Sequence, residues 1–248
     1  MNTETTSGVK TKLVALTAST LDGPLRLALM ALTVVTGLVD AISFLGLGRV
    51  FTANMTGNIV LLGFAIAGAP GLSISRSLTS LFAFLFGATL GGGLAVAMAA
   101  TSRRRWLVTA AVAEAGLLFA AALSSVWLDI GSATTSSGVY AVIVPAAVAM
   151  GLRNATVRKL AVADMTTTVL TLTLTGLAAD SSLAGGNNPR IGRRAMSVLL
   201  MFAGAAIGAL LLQFSLPLTL VLSGLLGLVA AAIFATLPTG TPSIGGHD

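Results

Sequence analysis

Cysteine is absent from this 248-residue chain, and histidine occurs once, at His247 in the polar run that ends at Asp248. Without cysteine there is no disulfide framework, no thiolate nucleophile and no thiolate-held metal. A single terminal imidazole leaves no Ser/His/Asp set and no His cluster for a metal. Charge is also scarce: 9% of residues are Asp, Glu, Lys or Arg, against about a quarter in soluble domains. Such a chain has too little charge to cover a water-facing surface. The aromatic residues (10 Phe, 2 Trp, 1 Tyr) lie mostly inside apolar runs and offer no stacking platform for bases. The 14 basic residues against 8 acidic ones sit between apolar runs, which reads as membrane topology rather than nucleic-acid binding. Gly185–Asn188 reads as a loop, and no phosphate-loop pattern occurs. An enzyme, a cofactor, a metal site and a nucleic-acid partner are therefore not expected.

What the chain does have is apolar length. It is 55% hydrophobic, with a mean hydropathy of +0.96. A spanning helix needs about 20 largely apolar residues. Six segments qualify: 26–47, 77–100, 106–127, 138–157, 195–214 and 217–237. Segments 50–69 and 161–179 are ambiguous, because the first opens with Thr52, Asn54, Thr56, Gly57 and Asn58 and the second is Thr-rich. The expected fold class is all-α, a polytopic membrane helix bundle. Residues 1–24 read as a polar cytoplasmic tail, 25–237 as one transmembrane domain and 238–248 as a polar C-terminal tail. The run Leu13–Leu16 is too short for a signal-peptide core and has no A-x-A site.

The two ambiguous segments occupy matching places. Gly37-Leu38-Val39-Asp40-Ala41 resembles Gly151-Leu152-Arg153-Asn154-Ala155 at an offset of 114. Thr52 falls on Thr167 and Thr56 on Thr171 at 115, and Gly87–Gly91 falls on Gly204–Gly208 at 117. A rival register, Asn54-Met55-Thr56 on Asp164-Met165-Thr166, needs a larger gap. Three ordered matches point to an internal duplication, 26–127 and 138–237. If all eight segments cross, the basic residues divide evenly between the two sides. If 50–69 and 161–179 enter and leave on one side, only Arg49 and Arg76 fall outside and the other twelve fall inside. The positive-inside bias favours this second arrangement. Each half then makes three net crossings, the halves are inverted, and both termini are cytoplasmic.

Several polar residues inside these segments are candidates for a solute pathway. Asp40 lies about two-thirds along the first span, where a carboxylate is costly unless paired, solvated or neutral. It reads equally as a proton or cation site and as a structural partner. Its repeat mate, Asn154, cannot titrate. In Thr52-Ala53-Asn54-Met55-Thr56-Gly57-Asn58, Gly57 permits a break in the helix, and the four polar side chains could line a path or simply satisfy the broken backbone. Asn54-Met55-Thr56 and Asn154-Ala155-Thr156 match the glycosylation sequon, a frequent pattern discounted beside membrane segments. In the second half Thr167, Thr168 and Thr171 take the corresponding places. Asp164, Thr168, Thr171 and Thr175 would share one helical face, with Asp164 as a helix cap. Glu114, in the middle of 106–127, is a further intramembrane acid. Arg153 could pair with Asp40 or Glu114, but snorkelling to the headgroups is the simpler expectation. Gly87/Gly91 and Gly204/Gly208 are small-residue faces for close packing, within the chain or in a homodimer.

The stretch GLVDAISFLGLGRVFTANMTGNIVLLG resembles the signature of the YoaK-type bacterial membrane proteins, a family of uncharacterised function sometimes labelled as permeases. MGLRNATVRKL and TTVLTLTLTGLAADS resemble that family's second block, and the likeness covers about residues 26–237. It implies Asp40, Asn54, Thr56, Gly57 and Asn58 as signature positions, with Asn154, Thr167, Thr168 and Thr171 in the second block. Leu172 stands where many relatives carry Gly. The resemblance implies a bacterial inner-membrane protein. The expected function is a small-solute or ion transporter or channel whose polar pathway lies between the halves, with Asp40 or Glu114 for proton coupling. The alternative is a non-transporting scaffold or accessory subunit. The expected partners are the lipid bilayer and an unidentified small solute or ion.

Overall fold

In a computed structural model of the protein, residues 4–128, 138–160 and 170–239 are described, with side chains from Gly23 onward. The described regular structure is all helical: α1 (Glu4–Ala41), continued by a π-helical turn at Ile42–Gly46, α2 (Met55–Ile66), α3 (Ile74–Ala97), α4 (Arg103–Ser125), α5 (Val139–Leu160), α6 (Leu170–Ala179), α7 (Ile191–Leu212) and α8 (Leu216–Ala235). Six of these stretches are long and apolar enough to cross a membrane, beginning with Gly23–Gly46. They are the six segments expected from hydropathy. The helices α3, α4 and α8 begin a few residues earlier than their apolar runs because Ser73, Ser102 and Ser215 cap their first turns. The expected N-terminal tail is helical from Glu4 and continuous with α1. Its Lys, Leu, Thr and Ala residues include no proline before Pro24, so nothing in the first turns interrupts the ladder.

Helix burial follows a clear order. Within the most apolar window of each span, α1 is 72% and α5 67% buried, α4 and α8 are 44% each, and α3 and α7 are 28% and 22%. Thus α1 and α5 form the centre, α4 and α8 pack on each other and on α5 and α1 respectively, and α3 and α7 cover α5 and α1 from outside. The small-residue faces make the outer contacts possible. A Cβ on Gly87 would lie 2.1 Å from the Val148 carbonyl oxygen, and one on Gly204 would lie 2.2 Å from that of Val34. Gly91 meets Leu152 and Ala155, while Gly208 meets Leu38 and Ala41. Gly151 meets Phe84 and Ala88, while Gly37 meets Met201 and Ala205. Every partner in the α3–α5 contact maps onto one in the α7–α1 contact at the sequence offsets of 117 and 114. Backbones this close gain dispersion contact that bulkier residues would prevent. Both faces are consumed inside the chain, so a homodimer would have to use another surface.

The short helices differ from the spans. At about 1.5 Å per residue, the 12 residues of α2 and the 10 of α6 reach only about 18 and 15 Å, against a hydrocarbon core of about 30 Å. They touch the bundle chiefly through α3 and α7, their immediate neighbours in sequence. The two ends of the 47–73 excursion lie together. The Arg76 guanidinium donates to the Gly48 carbonyl at 3.0 Å, and Arg49 lies against Gly71. At the end of α6, the Arg194 guanidinium donates to the Gly176 carbonyl and the Asp180 carboxylate, both at 2.6 Å.

Candidate functional site

The stretch between the π-turn and α2 is where the backbone leaves the helix at the end of the first span. Gly48 (φ 85°) and Arg49 (φ 59°) adopt the left-handed region and turn the chain. These residues make the break, and Gly57 does not. Gly57 is the third residue of α2 and has regular helical backbone. Its small size serves a different need, because a Cβ there would sit 2.8 Å from the Phe51 ring. Non-helical backbone is tolerated in a membrane only when its polar groups find partners. Asn58 supplies two of them: its amide oxygen accepts from the Phe51 N–H at 2.8 Å, and its amide nitrogen donates to the Phe51 carbonyl. Ser80 of α3 donates to the same carbonyl at 2.6 Å. Asn58 is buried and committed to holding the re-entering chain. Asn54 caps α2, accepting from the Gly57 N–H at 3.2 Å. Thr52 is buried, its hydroxyl without a hydrogen-bond partner among the described residues, and Thr56 is exposed on α2.

This turn brings α2's first residues back to the level of Asp40. The backbone amides of Ala53 and Asn54 are directed at the Asp40 carboxyl. Asp40 is 8% exposed, and its Oδ1 has no hydrogen-bond partner among the described residues. Beside it is a cavity of about 220 Å³ with four polar lining residues: Thr36 and Asp40 of α1, Asn54, and Thr171 of α6. Leu170, Leu174 and Met201 form its apolar wall. The cavity therefore joins the polar break of the first half to the short helix of the second. Thr36, which is not among the residues expected from sequence, stands one turn before Asp40, and the signal that could find it is the i, i+4 spacing on one face of α1.

A second polar cluster lies one turn along α1. Arg153 of α5 donates through Nη2 to Glu114 of α4, and through Nη1 to the Leu32 carbonyl and the Thr36 hydroxyl, both at 2.8 Å. Arg153 is 2% exposed, so it does not snorkel to the headgroups. The reason is that Glu114 sits at mid-span, on the helix α5 packs against, and neutralises it there. Glu114, expected near the pathway, is instead sealed at 1% exposure and does not line the cavity. Asn154 is also outside the cavity lining, donating to the Met150 carbonyl of its own helix at 2.8 Å. Thr171 lines the cavity, and Thr175 is exposed on the same helix. Thr167, Thr168 and Asp164 lie outside the described residues. Among the described residues no cluster of His, Cys, Asp or Glu is arranged to hold a metal.

Comparison with known proteins decides the family. Residues 28–233 match the family described as "Protein of unknown function (DUF1275)". The chain belongs to this family. It is also 40% identical over 157 residues to the UPF0700 transmembrane protein YoaK of Bacillus subtilis (strain 168), covering 63% of this chain and 66% of that relative. No solved structure matches. The protein is thus a multi-pass membrane protein of the YoaK family, as the signature stretches implied.

Proposed function

We propose that the protein is a small-solute or ion transporter or channel of the bacterial inner membrane, built from two inverted halves, with its polar pathway at their interface. The observation that carries this reading is the cavity of about 220 Å³ in which Asp40 and Asn54 of the first half meet Thr171 of the second. A polar cavity at membrane depth, bounded by short helices and irregular backbone, is the arrangement expected of a solute site. The matched contacts of α3 on α5 and α7 on α1 support a common origin of the halves. The meeting of Gly48 with Arg76, and of Arg49 with Gly71, supports an α2 that enters and leaves on one side. With α6 treated alike, twelve of the 14 basic residues lie on the opposite side, which the positive-inside rule makes cytoplasmic together with both termini. Because Glu114 is committed to Arg153, Asp40 is the one of these two acids open to coupling.

The test is flux in proteoliposomes, followed by light scattering or tracer uptake, with a panel of small ions and neutral solutes of up to about six heavy atoms. The wild type should conduct at least one panel member above empty liposomes, with Asp40→Asn and Asn54→Ala reducing that flux at least tenfold. Flux equal to the wild type in both variants removes these residues from the mechanism. No flux for any panel member favours a scaffold or accessory subunit.

A further inference from the structure

Three ionisable side chains are buried in the core, and they do not share their partners evenly. Asp40, Glu114 and Arg153 are 8%, 1% and 2% exposed. Arg153 reaches toward α1 as well as α4. It bonds Thr36, one turn from Asp40 on α1, and its charge acts on the Asp40 carboxyl. Yet its guanidinium pairs with Glu114. Both sides of the contact not made are unpartnered: Oδ1 of Asp40 and Nε of Arg153 lack hydrogen bonds among the described residues. A buried carboxylate without a counter-charge is unfavourable, and neutral donors compensate only part of that cost. Asp40 is also the carboxyl that borders the 220 Å³ cavity, with oxygen-bearing side chains of Thr36, Asn54 and Thr171 around the same space. That donor set suits a small cation and repels an anion.

We propose that this cavity binds a small monovalent cation with Asp40 as its counter-charge, and that Glu114 keeps the site open by holding Arg153 away from Asp40. The inference rests on the pathway reading for its place in transport, but not for binding itself. Asp40 is the binding residue. Glu114 is a positioning residue, since it does not line the cavity. Without the Glu114 charge, Arg153 is left facing α1, where it already bonds Thr36 one turn from Asp40. A guanidinium there would supply internally the positive charge that the cavity otherwise takes from solution.

The decisive experiment is calorimetric titration of the full-length protein in detergent with sodium, rubidium and methylammonium chlorides, with choline chloride as a cation too large for the site. The wild type should bind at least one of the three small cations and not choline, and Asp40→Asn should abolish binding. Glu114→Gln should weaken binding at least tenfold, whereas Arg153→Gln should tighten it. The double variant Glu114→Gln/Arg153→Gln should bind within about threefold of the wild type. Opposite effects of the two single variants, with recovery in the double, cannot come from general loss of fold. Absence of cation binding in the wild type, or binding that persists in Asp40→Asn, overturns the site. Glu114→Gln binding like the wild type, or no recovery in the double variant, overturns the role of Glu114. If Glu114→Gln does not yield folded protein, Arg153→Gln and the double variant carry the test, and failure of Arg153→Gln to tighten binding overturns that role. Cation binding without flux would leave the site standing and remove the pathway. Neutral-solute flux without cation binding would do the reverse.

Discussion

The contact of α3 on α5 and the contact of α7 on α1 use glycines at matching positions against matching backbone, while the polar residues that the two halves place near them differ. In the first half, α1 carries Asp40 beside a cavity, with one carboxyl oxygen unpartnered among the described residues. At the matching place α5 carries Asn154, whose amide bonds back to its own helix. One position earlier the relation reverses, since α5 carries Arg153 in an ion pair with Glu114 and α1 carries Val39, buried among apolar neighbours. The difference teaches that close helix packing and chemistry are separable in this bundle. Packing needs small residues at fixed spacing and is the same twice. The charged groups occur once each, and the Arg153 side chain of α5 reaches Glu114 on α4 and Leu32 and Thr36 on α1.

The comparison can be broken most severely at the glycines. Gly87→Ala and Gly204→Ala each place a Cβ within 2.2 Å of a backbone carbonyl oxygen, and each should cost at least about 3 kcal/mol, the upper end of overpacking penalties. Thermal unfolding in detergent should show losses of similar size for the two. A large loss in one and none in the other would mean that the contacts are not equivalent. The ion pair tests the asymmetric side. Glu114→Leu alone breaks the buried pair and should cost about 3–5 kcal/mol, while Glu114→Leu with Arg153→Met should return close to wild-type stability. In the flux assay, Asp40→Asn should reduce the rate at least tenfold, about 1.4 kcal/mol in barrier terms, and Asn154→Ala should leave it unchanged. Equal losses at both would restore functional symmetry between the halves. The smallest effect is expected at the α2 cap, where Asn54→Ala should lower stability by about 1 kcal/mol, read as a shift in the unfolding midpoint.

Much of the fold was legible because hydrocarbon imposes a simple length requirement. Six apolar runs became six long helices, with ends displaced by a few residues where Ser73, Ser102 and Ser215 begin a helix ahead of its apolar part. The break before α2 was legible in the polar cluster 52–58, but its agent was misplaced. Glycine at position 57 looks like a helix breaker, whereas Gly48 and Arg49 turn the chain and Gly57 makes room for a ring. No local signal separates a glycine needed for its φ from one needed for its missing Cβ. Asn58 was placed on the pathway for the same kind of reason. A buried amide has equal capacity for solute or backbone, and here Phe51 takes it.

Sequence by itself determined that the chain is a helical membrane protein, which segments span, that its halves share a pattern of glycines, and which few residues carry polarity into the membrane. Those follow from composition and spacing, which act along the chain. Only the tertiary structure decided which acid Arg153 neutralises, which of Asp40 and Glu114 borders a cavity, and that Thr36 belongs with them. A charge in a low-dielectric interior is governed by whichever opposite charge packing brings within a few ångströms, and α1, α4 and α5 had to pack before that partner was fixed.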